Sequence, residues 1–252
     1  MKWKPRRPHK VHAQASAPES STACSVFYSA NNKTPLNQGQ VGSCTGNAGV
    51  KSISIAPFVG NYSETDALNY YSQATKRDNG CACTASTCSG SYPPNDTGSS
   101  GDSVYTCMQQ AGILKGFTQA DTFIDLMAGL NAGRVCILGA NWYNSMFSPL
   151  ASGQLKVTTS SGLAGGHEFV IIGHDSVNSR TWMLNSWGYW GVCFAEQITT
   201  STPLDGTGCG YAWFADADVQ KLYNSGAEGD CPTLPIKEPS NDNAFQTLSP
   251  TG

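Results

Sequence analysis

The hydrophobic pattern of the chain changes character near residue 118, and that change confines the fold to a mixture of helix and sheet. Before it, apolar and small residues recur at helical spacing. One such stretch, 45–55, follows Gly42-Ser43-Cys44 directly; a second, from Ser63 to about Lys76, opens with a capping residue and Asp66 three positions on; a third, 102–110, stops at Gly112. A further helix is expected over 122–131, ending at Gly133. Beyond it come short apolar runs: Val135-Cys136-Ile137-Leu138, then 169–173 and 181–185 bracketing a turn at 175–180 as a β-hairpin, then 209–214. A helical first half followed by a β-rich second half is α+β. Twenty-seven glycines and long Ser/Thr/Asn stretches exclude an all-helical bundle, and 77–101 reads as a long loop. The expected organisation is a flexible basic arm (1–22), a helical lobe (23–118), a β-rich lobe (119–232) and a C-terminal tail (233–252).

Charge is unevenly spread. The net charge is −3, yet the first ten residues, MKWKPRRPHK, hold five Lys/Arg and no acid. The body is therefore acidic and unsuited to binding nucleic acid. The basic segment reads as a solvated terminus, or as a contact for an anionic neighbour such as nucleic acid or an acidic protein surface. No apolar run is long enough to span a bilayer, and none follows the basic residues as in a secretory signal, so neither a membrane partner nor an export leader is expected. Ten cysteines point instead to an oxidising, extracellular or virion destination. Release by lysis, with an assembly partner in a larger particle such as a phage, would reconcile the two.

Three segments carry chemistry: Gln38-Gly39-Gln40-Val41-Gly42-Ser43-Cys44, Gly165-Gly166-His167 and Asn185-Ser186-Trp187-Gly188. A cysteine alone before a helix is usually a small buried residue. The set reads differently. A helix N-terminus favours a thiolate over a thiol, and a nearby imidazolium favours it further. His167 can serve as base and then as acid, and the Asn185 amide oxygen can accept its other N–H and hold the ring in line. Gln38 and the backbone N–H of Cys44 can stabilise a tetrahedral oxyanion.

In this order the segments resemble the papain family of cysteine peptidases over roughly 30–225. The resemblance implies a two-lobed α+β fold, with Cys44 on the helical lobe, His167 and Asn185 on the sheet lobe, and the substrate in the cleft between. It implies an endopeptidase acting on peptides or proteins through a thioester, with no metal or cofactor. Trp187 matches the indole that shields the His–Asn hydrogen bond. Gly98 and Ser99 stand where the family has a glycine pair that binds substrate backbone, and Gly166 and Glu168 flank the histidine. Glu168 would border the pocket for the second residue upstream of the scissile bond and favour a basic side chain there; the alternative is that it faces solvent. The motif style is closest to bacterial, archaeal and phage members.

There are departures. Val41 replaces a family cysteine whose disulfide partner would fall near Asp96, Thr45 replaces an aromatic residue, and an insertion lies between Trp190-Gly191 and Gly210-Tyr211. Only 43 residues precede Cys44, so the long inhibitory prosegment of typical zymogens is not expected; activity would be controlled otherwise, or this is a mature form. A cell-wall peptide cross-link hydrolase and a non-catalytic structural component on the same fold are the other readings.

Cys44 has to stay reduced for such chemistry. Cys107 on a helix and Cys136 in a strand are expected as buried thiols. Cys193 and Cys209 are expected to close the insertion. Among Cys81, Cys83 and Cys88 one local pair is expected, the third reaching Cys24 or Cys231. Zinc is the weaker alternative, because Cys-x-Cys is too tight for the usual ligand spacing. The odd number leaves one thiol free or linked to another chain.

Overall fold

The structure, a computed structural model, describes residues 2–6, 26–27, 35–55, 58, 60–193 and 209–233. Its elements in chain order are β1 (Val26–Phe27), α1 (Cys44–Ser52), α2 (Glu64–Asp78), α3 (Gly101–Gln110), β2 (Phe117–Ala120), α4 (Phe123–Asn131), β3 (Cys136–Tyr143), β4 (Gln154–Leu155), β5 (Leu163–Asp175), β6 (Arg180–Leu184), β7 (Tyr211–Ala215), α5 (Asp216–Asn224) and β8 (Glu228–Pro232). The strands form one sheet in the order β2-β8-β3-β5-β6-β7-β4, with β1 added to β5. Among the strands described, only β4 and β7 pair in parallel.

Helix α1 is buried along its whole length although its sequence, CTGNAGVKS, is barely apolar. Small residues make this possible. A side chain at Gly46 would run into the Ala67 carbonyl and Tyr71 of α2, and one at Gly49 into Val104 and Met108 of α3. The helix therefore sits between α2, α3 and the long strand β5. Local signals fix its neighbours: Ser63 and Asp66 form the reciprocal capping box, and Ser100 and Thr122 cap α3 and α4.

Strands β3 and β5 run longer than the sequence suggested. Strands β2 and β8 and helix α5 were not anticipated at all. β8 reads Glu-Gly-Asp-Cys-Pro, with no strand-like pattern; it is a strand because β2 and β3 hydrogen-bond it from both sides.

Among the described residues four disulfides join Cys81–Cys88, Cys83–Cys107, Cys136–Cys231 and Cys193–Cys209. The local pair and the insertion pair match expectation. Cys107 and Cys136 do not: both are cross-linked, Cys107 to the loop ahead of α3 and Cys136 to the neighbouring strand β8. Cys83 and Cys231 thus find partners other than those expected. Among the described residues Cys44 is the free cysteine; Cys24 lies outside them. The disulfides are consistent with an extracellular destination, and no helix among the described residues is long and apolar enough to cross a membrane.

The expectation of a solvated arm fails for its first residues. Residues 2–6 lie against the body, paired to Ser99 and Gly166. The rest of the arm and the tail beyond residue 233 fall outside the described residues.

Candidate active site

Cys44 is the first residue of α1, behind Ser43 at the N-cap, so its sulfur lies where the helix dipole is positive. His167 is carried by β5 and Asn185 follows β6 directly. The hairpin that joins these strands, closed by Asp175↔Arg180, brings the two side chains together. Asn185 Oδ1 lies 2.7 Å from His167 Nε2 and also accepts the backbone N–H of Ser186 at 2.8 Å. An amide oxygen only accepts, so Nε2 carries the ring proton. That leaves the lone pair of Nδ1, which is buried with no hydrogen-bond partner. Cys44 and His167 are both fully buried. Helix α1 supplies the thiol and strand β5, packed against it, supplies the imidazole.

Aromatic rings surround the His167 imidazole. Trp187 stacks on His167 with centroids 4.7 Å apart, and Trp142 of β3 meets the same ring edge-on at 4.9 Å. Phe147 stacks in turn on Trp187. Trp142 and Phe147 escaped the sequence reading, because β3 was expected to end before them. The Gln38 carboxamide is held at both ends: Nε2 donates to the Val41 carbonyl at 3.0 Å and Oε1 accepts from Ser186 Oγ at 2.8 Å. Gln38 thereby spans the cysteine loop and the Asn185–Trp187 segment.

Where the family has a disulfide from position 41, this chain uses hydrogen bonds. Asp96 accepts the Gly42 N–H at 2.9 Å and the Tyr71 hydroxyl proton, and the Tyr71 oxygen accepts the Gly98 N–H at 2.9 Å. The loop before Cys44 and the loop of Gly98-Ser99 are locked together this way.

The cleft between these loops holds the chain's own arm. Ser99 N–H donates to the Lys2 carbonyl (3.1 Å), Lys4 N–H to the Ser99 carbonyl (2.7 Å) and Trp3 N–H to the Gly166 carbonyl (3.1 Å). Gly98 has a positive φ of 77°, and a Cβ there would overlap the Lys2 carbonyl. The Trp3 indole covers Gly139 and Gly166 so closely that neither tolerates a side chain. Beneath the arm both Cys44 and His167 have no solvent exposure. Burial, then the Glu168 carboxyl, pushes the Cys44 thiol up to about 11, and burial pulls His167 down to about 3. The covered pair is neutral thiol and neutral imidazole.

Glu168 does not face solvent. It is 1% exposed, and burial holds its carboxyl well above the usual range. Of the expected site residues, then, His167, Asn185 and Trp187 lie together, Gln38 ties them to the loop before Cys44, and Gly98, Ser99 and Gly166 border the arm. No His/Cys/Asp/Glu cluster among the described residues could hold a metal.

Fold and site together define a class: the chain has the fold of the papain-like cysteine proteases. No family model matches it, and no curated protein sequence does. Among solved structures, xylellain, a cysteine protease from Xylella fastidiosa, aligns over 94% of this chain and 96% of its own with a TM-score of 0.52 at 16% identity. The digestive procathepsin L 3 of Tenebrio molitor larval midgut aligns over 92% and 76%, with a TM-score of 0.54 at 14% identity. The bromelain protease of Ananas comosus aligns over 80% and 93%, with a TM-score of 0.50 at 15% identity.

Proposed function

We propose that the chain is a cysteine endopeptidase whose cleft is occupied, in the state described, by its own N-terminal residues. The observation that carries this reading is the peptide strand of residues 2–4, bonded to Ser99 and to Gly166, the residue before His167. A groove that pairs with extended backbone next to a buried imidazole, on a fold that also buries a free thiol at a helix start, is what peptide hydrolysis needs.

In the reaction, His167 Nδ1 takes the Cys44 proton and the sulfur attacks the carbonyl carbon. Gln38 and the Cys44 backbone N–H stabilise the oxyanion, and the imidazolium gives its proton to the departing amine. Water then attacks the thioester with His167 again as base, releasing the acid and the thiol. Asn185 holds the ring in line, and Trp187 and Trp142 keep water off that hydrogen bond.

The test is a peptide-library cleavage profile with and without reductant, comparing the full chain, a Trp3→Ala variant with a loosened arm, and Cys44→Ala. Cysteine-dependent cleavage that rises in the loosened variant is expected. Cleavage that persists in Cys44→Ala, or none in the loosened variant, ends the proposal.

A further inference from the structure

One carboxylate, Asp96, stands where three segments of the cleft meet, and the groups bonded to it point their protons inward. The Gly42 N–H, two residues before Cys44, donates to Asp96 Oδ2 at 2.9 Å. The Tyr71 hydroxyl of α2 donates to Asp96 Oδ1 at 2.5 Å. The Tyr71 oxygen in turn accepts the Gly98 N–H at 2.9 Å. On the outer side the Lys2 ammonium lies 3.1 Å from Asp96 Oδ2 and donates to the Asp96 carbonyl.

This relay needs an anion at its end. Tyr71 is fully buried, so its single hydroxyl proton requires an acceptor within the protein. Gly42 brings a second donor to the same group. A carboxylate takes both, one on each oxygen, whereas an amide would set its own N–H against one of them. Burial opposes the charge, but the Tyr71 hydroxyl, the Gly42 N–H and Lys2 outweigh it and hold the Asp96 carboxyl below the ordinary range.

The packing is as close as the bonding. A Cβ on Gly42 would run into Asp96 Oδ1 and the Lys2 side chain, so the carboxylate rests directly on the backbone that leads to Cys44. Lys2 is the weakest of the partners. Its side chain is 46% exposed, and exposed ion pairs contribute little. A hydrogen bond from a buried hydroxyl to a charged acceptor is of the stronger kind. The carboxylate therefore serves the two loops more than it serves the arm. Gly98 leads to Ser99, whose N–H and carbonyl pair with the backbone of Lys2 and Lys4.

We propose that Asp96 is a positioning residue of the cleft. Through Tyr71 and Gly98 it sets the backbone edge at Ser99 that pairs with an extended peptide, and through Gly42 it sets the loop that carries Cys44. The first role stands on peptide binding alone; the second deepens the peptidase reading and rests on it.

Peptide binding is measured without turnover in the full chain carrying Cys44→Ala and Trp3→Ala. The probes are acetyl-Lys-Trp-Lys-Pro-Arg amide, which is the sequence of residues 2–6, and its analogue with norleucine for the first lysine. Norleucine keeps the stem and removes the ion pair, so any effect of Asp96 that remains acts through the loops. Asp96→Asn is expected to weaken the norleucine peptide about tenfold, and Tyr71→Phe about threefold to tenfold. The two together should weaken it by no more than about twofold beyond Asp96→Asn alone, because Tyr71 acts through the same carboxylate. Norleucine-peptide affinity unchanged by Asp96→Asn, effects that multiply, or a parent chain that binds neither peptide overturns the proposal. Thermal transitions are followed in parallel. Tyr71→Phe keeps the buried ring, so if Asp96→Asn proves unfolded, unchanged affinity in folded Tyr71→Phe overturns the proposal by itself.

Turnover separates this from the peptidase reading. With Cys44 restored, a library peptide that the Trp3→Ala chain cleaves is the substrate. Tyr71→Phe is expected to raise KM with kcat kept within about twofold, and Asp96→Asn to raise KM and lower kcat about tenfold. An unchanged kcat in Asp96→Asn refutes the role at the Cys44 loop. No cleavage of any library peptide by the Trp3→Ala chain refutes the peptidase reading and leaves the binding result standing.

Discussion

Trp3 is 8% exposed, with its indole over Gly139 and Gly166. Replacing it by alanine should open the cleft without touching the site. A tryptophan buries roughly 150–250 Å². At about 25 cal/mol per Å², that is worth roughly 4–6 kcal/mol against full exposure. A released arm keeps part of the indole covered, which lowers the useful figure to about 3 kcal/mol. The three backbone hydrogen bonds to Ser99 and Gly166 survive the substitution and are not counted. About 3 kcal/mol raises the open population on the order of 10²-fold. Because Cys44 is fully buried beneath the arm, its alkylation reports that population. The assay is the rate of iodoacetamide labelling at Cys44, followed by mass spectrometry at neutral pH, with the thermal transition checked in parallel. Labelling within about threefold of wild type, in a protein of unchanged melting temperature, would show that the indole does not hold the arm in place.

Gly139→Ala should reproduce this from the other side of the contact, because its methyl group takes the space of the Trp3 indole; labelling as slow as wild type would contradict the close approach. The pH dependence of labelling should differ between the two states. The covered thiol, raised to about 11, binds its proton more tightly than the exposed one. Closure is therefore stabilised fully below the exposed thiol's pKa, and that stability is lost as pH rises toward about 11. Wild-type labelling should climb without a plateau from pH 7 to 10, while Trp3→Ala levels off earlier; coincident profiles would refute the burial argument. Asn185→Ala in the Trp3→Ala background should lower kcat/KM on the order of 10²-fold or more, through loss of His167 orientation, with the melting temperature little changed; undiminished turnover would remove Asn185 from the mechanism. The Cys136–Cys231 disulfide spans 95 residues between two buried strand positions, and its double serine variant should lose about 4–5 kcal/mol in urea unfolding. A loss under about 1 kcal/mol would mean that packing alone holds β8 to β3.

Much of the frame was legible in the residue order because it is decided locally. A serine with an aspartate three positions on makes a capping box in any context, and Ser63 and Asp66 make one here. Two apolar runs around a turn make a hairpin, and that hairpin is what brings His167 to Asn185. The helix starting at Cys44 and the small residues behind it announce a tightly packed element. These signals act over a few residues, so reading them needs no knowledge of the fold.

What lay beyond reach depends on partners far away in the chain. Glu-Gly-Asp-Cys-Pro becomes a strand only because β2 and β3 close on it. The pairing of Cys136 with Cys231 follows from that same closure, and no spacing rule foretells it. The basic N-terminal residues have the composition of a solvated tail; Lys2, Trp3 and Arg6 are ordered because the assembled cleft offers backbone partners, a bare glycine surface and buried carboxylates. Local propensity selects helices, hairpins and caps, whereas the covering of Cys44 is set by complementarity between surfaces that exist only once the sheet has formed.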